Sequence, residues 1–182
     1  ADIFDTAFHL DGVAGALRIT ATADVIATAR VYDVNVQTNI GTGTAGQFYP
    51  GLPAELAIGA GDSTTVIGLA EQGGTWRSNV ALVETTGHSV VLNIERLDAS
   101  GQVLFTYTGY RLQPFEAKQI NRVLQFLGGS GTMNNQRVRV TAPAAEDEGR
   151  VLVAGSRIDS RTGDPFTIEM AGEPTAPAAD RT

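Results

Sequence analysis

Short runs of Val, Ile, Thr and aromatic residues, separated by Gly, Asp, Asn and Pro, recur along the whole chain. Between Val25 and Val31 every second residue is small and apolar, which is the period of a strand that packs closely on a second sheet. This pattern predicts an all-β protein, an antiparallel β-sandwich of Ig-like or jelly-roll-like form with one or two short helices. We expect strands at residues 16–22, 24–34, 47–49, 63–69, 76–84, 89–97, 103–111, 136–142, 150–159 and 166–170.

The connections carry their own local signals. Residues 98–101 (DASG) separate two strand-like runs, and Gly101 supplies the positive φ that a four-residue hairpin turn requires. Within residues 119–127 the period changes to that of a helix, and Gly128 follows as a stop, so one short helix is predicted there. Residues 35–46 and 50–62 are rich in Gly, Thr and Pro and are expected to be surface loops.

The chain also contains an internal repeat, because four segments near its start match four near its end in the same order. The matched pairs are residues 3–10 with 120–127, 17–20 (LRIT) with 138–141 (VRVT), 25–31 (VIATARV) with 152–158 (LVAGSRI), and 44–48 with 162–166. Arg30 and Arg157 fall at the same place in the two copies, as do Phe48 and Phe166. The order of the matches predicts a duplicated unit.

Residues 75–115 have no counterpart ahead of Ile3, so the chain holds the back half of one unit followed by a complete one. We therefore expect residues 1–50 to be a half-repeat that packs with, or is completed by, a full unit. Residues 51–74 are expected to be a connecting loop and strand, residues 75–170 the complete sandwich, and residues 171–182 a flexible tail.

Several stretches of the complete unit resemble secreted bacterial β-sandwich (Ig-like) repeat domains found in multi-domain surface proteins. These stretches are residues 76–83 (WRSNVALV), which include Trp76, Arg77 and Asn79, the turn at 98–101, residues 119–121 (QIN) and residues 156–165 (SRIDSRTGDP). The resemblance covers most of the chain. It implies an extracellular or cell-surface setting and structural roles for these residues, and it implies no ligand.

Composition excludes several other classes of function. The net charge of −7 opposes the binding of nucleic acid, and no apolar run is long enough to insert into a membrane as a helix. The chain has no cysteine, which removes disulfides, thiolate metal sites and cysteine nucleophiles. It has only two histidines, His9 and His88, so a His-rich metal site within one chain is also excluded.

Residues that could carry out catalysis are few. The carboxylates considered for glycoside hydrolysis are Glu84, Glu95, Asp98 and Glu116, which fall at strand ends or in turns. A Ser-His-acid arrangement would have to use His88 with Ser78 or Ser89, and the sequence has no nucleophile elbow. We expect the protein not to be an enzyme, with a hydrolase kept as a rival.

The residues that could bind a ligand also have structural explanations. Asp159 and Asp164, with Asp33, are weak candidates for calcium, and they are more simply explained as turn-forming residues. Otherwise no cofactor is expected. Arg30 and Arg157 suit recognition of an anion or glycan, but we favour a structural role, in which each arginine is held by backbone carbonyls or an acidic partner, because the repeat preserves it alongside packing residues.

The function that fits these observations is a non-enzymatic extracellular structural or adhesive protein that self-assembles through β-strand contacts into a filament or surface array. Its expected partner is itself. A carbohydrate-binding accessory module, which would use Tyr32, Tyr49, Tyr107 and Tyr110 to bind a glycan, is a rival function, and a virion decoration protein is another.

Overall fold

The protein, described from a computed structural model covering residues 3–13, 15–38, 41–143 and 148–173, is an all-β fold in which every strand pairing is antiparallel. It contains two short helices, α1 and α2, and a 3-10 turn. The elements in chain order are α1 Ile3–Phe8, β1 Thr28–Thr38, β2 Gly41–Pro50, the 3-10 turn Ala54–Leu56, β3 Ser63–Glu71, β4 Trp76–Glu84, β5 Val90–Leu97, β6 Val103–Leu112, β7 Ala117–Ile120, α2 Val123–Phe126, β8 Met133–Thr141, β9 Val151–Asp159, β10 Pro165–Glu169 and β11 Ala171–Glu173.

Two sheets form the sandwich, as the alternating pattern predicts. One sheet has the strand order β10-β9-β4-β7, and the other has the order β11-β3-β8-β5-β6. Strand β8 therefore lies between β3 and β5, although it follows them in sequence by many residues. A separate two-stranded sheet is formed by β1 and β2.

The core lies between the two large sheets and consists of aliphatic side chains with no exposed surface, among them Leu82, Leu92, Ile94, Val138 and Val153. The two sheets are in close contact at Gly155, where a Cβ would overlap Cγ1 of Val66. Overlap at this point means that only glycine fits there without movement of β3. The prediction of a β-sandwich is confirmed.

The hairpin between β5 and β6 forms as its turn residues indicate. Gly101 has a φ of 93°, and Oδ1 of Asp98 accepts hydrogen bonds from the backbone nitrogens of Ser100, at 2.8 Å, and Gln102, at 3.0 Å. The carboxylate thus satisfies the turn's backbone donors, which is why aspartate suits the first position.

Several local predictions are wrong. Residues 16–22 form no strand, and the helix expected at 119–127 is reduced to α2 because Ile120 belongs to β7. The expected loop at 35–46 instead contributes the ends of β1 and β2, and Ile58 of the second loop is buried and paired with Val151. The tail expected at 171–182 begins with β11, while residues 174–182 lie outside the described residues.

Candidate interaction surface

The half-unit, defined as residues 3–50, exposes apolar side chains whose counterparts in the complete unit are buried. Six aligned pairs show the change in relative exposure: Ile3 50% and Ile120 5%, Leu10 49% and Leu127 0%, Leu17 39% and Val138 0%, Ile19 62% and Val140 0%, Ile26 97% and Val153 0%, Val31 66% and Ile158 7%. Apolar side chains exposed together in this number are typical of an interaction site.

The exposed positions follow from the local structure of the half-unit. No side chain of α1 is buried, and residues 15–27 belong to no helix or strand. Leu17 and Ile19 alternate along the sequence as their counterparts in the core of the sandwich do. On this segment, however, their side chains are exposed to solvent. The half-unit therefore has apolar side chains of the kind that form a core, and among the described residues no second sheet covers them.

The hairpin of the half-unit has the same pairing as its counterpart in the sandwich. Arg30 on β1 lies opposite Phe48 on β2, and Arg157 on β9 lies opposite Phe166 on β10. Both arginines also lie over an aromatic ring, with Cζ of Arg30 5.7 Å from the centre of the Tyr32 ring. The two hairpins thus share one strand register at the repeated Arg.

Strand β2 lies against the outer side of the four-stranded sheet. Nε2 of Gln47 donates to Oγ1 of Thr167 at 3.2 Å, and the Thr167 hydroxyl donates to the backbone oxygen of Phe48. Burial at this contact raises the pKa of the Tyr49 hydroxyl. A narrow cleft here is lined by small or polar side chains, Gln47, Ala81, Gln119, Ala154 and Ser156, together with Tyr49. These contacts anchor β2, whereas β1 makes no ladder other than that with β2 among the described strands.

Arg157 is held between two aromatic rings. Its Cζ lies 4.0 Å from the centre of the Trp76 ring and 6.0 Å from that of Phe166, and its Nε is buried with no hydrogen-bond partner among the described residues. A guanidinium stacked at this distance packs as a planar group, so Arg157 contributes to the end of the core through cation–π contact.

Arg77 and Asn79 occupy neighbouring positions on β4. Arg77 pairs with Ile158 across the ladder, and the nearly buried Asn79 accepts a hydrogen bond on Oδ1 from the backbone nitrogen of Arg122 at 3.1 Å. Arg122 has a left-handed conformation with φ of 49° just before α2. The amide of Asn79 therefore fixes the turn from β7 into α2.

Asp159 and Asp164 form the turn between β9 and β10. Oδ1 of Asp159 accepts a hydrogen bond from the backbone nitrogen of Arg161 at 2.8 Å, and the backbone nitrogen of Asp159 donates to the backbone oxygen of Asp164 at 2.9 Å. Residues 3–13, 15–38, 41–143 and 148–173 bring together no group of three or more His, Cys, Asp or Glu side chains suited to a metal ion. The geometry seen here is that of a turn.

The carboxylates considered for catalysis each bind nearby protein groups. Glu95 pairs with Nε of Arg139 at 2.6 Å, and Glu116 pairs with Nζ of Lys118 at 3.1 Å. Asp98 caps its turn, and hydrogen bonds from Ser100 and from the Gln102 backbone lower its pKa. Glu84 is buried and accepts hydrogen bonds from three separate parts of the chain, at residues 86–87, 115 and 150.

The Ser and His residues do not form a nucleophile and its base. The buried hydroxyl of Ser78 donates to the backbone oxygen of Ala70 at 2.8 Å, and Ser89 accepts a hydrogen bond from Arg111 at 3.1 Å. Nδ1 of His88 lies 3.7 Å from a carboxylate oxygen of Glu148 at the surface.

Three aromatic residues of the sandwich, Tyr107, Tyr110 and Phe126, cluster at α2. The Tyr107 ring lies 5.2 Å from that of Phe126 and 5.9 Å from that of Tyr110, with interplanar angles of 33° and 70°. Rings at such angles contact one another and do not form the coplanar row on which a sugar chain stacks.

Sequence reasoning missed one buried ionisable residue, Glu71, which lies beneath α2. It is 1% exposed, and neither carboxylate oxygen has a hydrogen-bond partner among the described residues. Burial raises the pKa of Glu71, although the backbone amide of Leu124 and the Arg122 guanidinium act to lower it. Glu71 is the last residue of β3 and lies two residues after the buried Leu69. This even spacing places it on the core side of the strand and is the sequence signal for its burial.

Comparisons of the chain with protein-family models, with curated proteins and with solved structures gave no match. Across the part of the chain that the structure describes, no helix is both long enough and apolar enough to cross a membrane.

Proposed function

We propose that the chain is a non-enzymatic structural protein of an extracellular or cell-surface setting, which acts by association between units of its own repeat type. The observation that carries this proposal is the set of six core-type side chains that the half-unit exposes. The carboxylates and serines that the sequence offered for catalysis, and His88, each contact nearby protein groups in turns, strands or ion pairs, and this supports a structural role over a hydrolytic one.

The exposed apolar area is large enough to drive weak association. Complete burial of an aliphatic side chain is worth about 1.5 to 3 kcal/mol, so six whose exposure ranges from 39% to 97% offer about 5 to 11 kcal/mol. Association costs about 4 to 15 kcal/mol in lost motional freedom, which this gain offsets only at the lower end of that range. We therefore expect self-association that is reversible and strongly dependent on concentration.

Sedimentation velocity across a concentration series tests the proposal. The parent chain is expected to form larger species as concentration rises, while a chain carrying Ile19→Asp and Ile26→Asp remains a monomer. A matched control carries Leu56→Asp and Val103→Asp, which place the same two charges on exposed apolar residues outside the half-unit, and it should behave as the parent. A parent chain that is monomeric at every concentration, with no ordered polymers by electron microscopy, would contradict self-association.

A further inference from the structure

The complete unit is divided by its topology into two interlocking sets of strands. We call β3 to β7 the acceptor strands and β8 to β10 the donor strands. Donor strand β8 fills the gap between β3 and β5 in one sheet, and donor strand β9 lies between β4 and β10 in the other. The half-unit carries the sequence of a donor set, since residues 17–20 match β8 and residues 25–31 match β9.

We propose that the half-unit binds a second set of acceptor strands of the same repeat type and forms a second sandwich with them. The proposal rests on the proposed function, association between repeat units, and specifies the partner. The partner is a group of strands equivalent to β3–β7, with apolar side chains at the positions that Leu82, Leu92 and Ile94 hold here.

The unpaired edges of the half-unit match this partner. Strand β9 pairs with β4 over nine consecutive residue pairs, from Trp76 opposite Asp159 to Glu84 opposite Val151. Its counterpart β1 pairs only with β2, so the edge corresponding to that long ladder has no strand beside it among the described residues. The segment at residues 17–20 likewise has, among the described residues, none of the strand neighbours that β8 has on both sides. An unpaired edge beside an apolar face is a template for a further strand.

An intact second copy of the chain does not supply free acceptor strands for the half-unit. Among its described residues, each copy of residues 1–182 has one acceptor set and two donor sets, which are its half-unit and its own β8–β10. If the half-unit of one copy entered the acceptor strands of another, it would expel that copy's β8–β10, and the same number of donor sets would stay exposed. Exchange between copies therefore adds no buried sandwich core, so two copies associate only weakly, through the exposed apolar side chains, and an acceptor set without donor strands of its own is the partner that completes a sandwich.

One residue of the half-unit also specifies the shape of that partner. The repeat aligns Thr28 with Gly155, the position at which a Cβ would overlap Cγ1 of Val66. A threonine there needs more room than this chain's own β3 provides. The acceptor strands that fit best are therefore expected to carry a residue smaller than valine at the position equivalent to Val66.

A lengthened chain tests the proposal directly. A copy of residues 51–117 is joined ahead of Ala1 of the full chain, so that Ile3 follows at the distance at which Ile120 follows residue 117. One version keeps valine at the position of Val66 in the added copy, and a second version carries Val66→Ala there. The matched control carries Leu82→Asp and Ile94→Asp in the added copy, which prevents it from forming a core.

Hydrogen exchange measured by mass spectrometry is the readout, with residues 138–158 of the complete unit reporting that each chain is folded. We expect amides in residues 17–20 and 28–32 to exchange at least about a hundredfold more slowly in the lengthened chain than in the parent, since they would enter a sandwich core. Protection should be greatest with Val66→Ala and absent in the control. If residues 138–158 are protected and residues 17–20 and 28–32 exchange as in the parent in both test versions, the proposal is overturned.

This result is separate from the sedimentation test of self-association. A parent chain that self-associates, with a half-unit that stays unprotected in both lengthened chains, overturns the assignment of the partner and leaves self-association of the chain standing. A monomeric parent with a protected half-unit in the lengthened chain overturns self-association of the chain and leaves the assignment of the partner standing.

Discussion

Glu84 offers a sharp test of how buried charge holds the sandwich together. It ends β4 with 2% exposure, and its carboxylate joins the β4–β5 loop, the β6–β7 turn and the start of β9. Its donors, with donor–acceptor distances, are the Thr86 hydroxyl at 2.5 Å, the backbone nitrogens of Thr86 and Gly87 at 2.8 Å, that of Phe115 at 2.9 Å and that of Arg150 at 3.3 Å.

These donors decide the charge state of the side chain. Burial acts to raise the pKa of Glu84, but the hydrogen bonds from Thr86, Phe115 and Gly87 outweigh it and lower the pKa from 4.5 to about 2. A fall of that size corresponds to about 3 kcal/mol of stability for the ionised carboxylate at neutral pH. Because the folded-state pKa is depressed, this stability is present above pH 4.5 and is lost as the pH falls through about 2.

The perturbation is Glu84→Gln, which keeps the size of the side chain and turns one acceptor into an NH₂ group facing backbone donors. We expect the free energy of unfolding at pH 7 to fall by about 3 kcal/mol, and the difference from the parent to shrink to about 1 kcal/mol or less near pH 2. Urea unfolding followed by the fluorescence of Trp76, the only tryptophan, measures both values. Glu55→Gln makes the same change at an exposed position and should leave stability unchanged.

Two results would refute this reasoning. A loss of less than about 1 kcal/mol at pH 7 would mean that the amide accepts the same donors and that charge contributes little. A loss that is equal at pH 7 and near pH 2 would assign the effect to packing, because only an ionised group loses its advantage on protonation.

Two further substitutions test other parts of the core. Glu71→Gln should stabilise the protein: burial raises the pKa of this carboxyl, so the stability of its neutral form is complete below pH 4.5 and is lost as pH rises through the folded-state pKa. The gain over the parent, measured by urea unfolding, should therefore appear at neutral pH and vanish near pH 4. Gly155→Ala should cost about 1 to 3 kcal/mol by driving a methyl group into Val66. A thermal melt of the double variant with Val66→Ala should recover part of that loss, and purely additive losses would count against a direct contact.

The sequence predicts the strands of the complete unit well because each one has a partner elsewhere in the chain. The whole of β4 is predicted with its bounds, and the β5–β6 hairpin follows from Asp98 and Gly101. The predicted helix is too long because Ile120, Val123, Leu124 and Leu127 are all buried at helical spacing, yet the first of them closes a strand and only the next two lie in α2. The spacing of apolar residues indicates which residues are buried, but a strand followed by a turn can have the same spacing as a helix.

The two buried glutamates show where sequence reasoning stops at a site. Glu71 and Glu84 are each the last residue of a strand in the same sandwich, and their neighbouring residues in the sequence do not distinguish one environment from the other. One is surrounded by donors from three loops far apart in the chain, and the other has no hydrogen-bond partner among the described residues, so their pKa values move in opposite directions. That difference depends on which loops meet in space, which a local pattern does not contain.

The failure at residues 16–22 has a different cause. Their sequence alternates as clearly as that of β8, which it matches, but an extended segment becomes a strand only when a neighbour accepts its backbone hydrogen bonds. For β8 the chain supplies β3 and β5, whereas the described structure supplies no strand beside residues 17–20. The alternation thus correctly indicates that these residues suit a strand, but it does not indicate whether the chain provides a neighbouring strand to pair with them. The same sequence pattern is therefore buried in one copy of the repeat and exposed in the other. This difference favours the half-unit as a binding surface for acceptor strands, and it is visible only when the repeat in the sequence is compared with the burial in the fold.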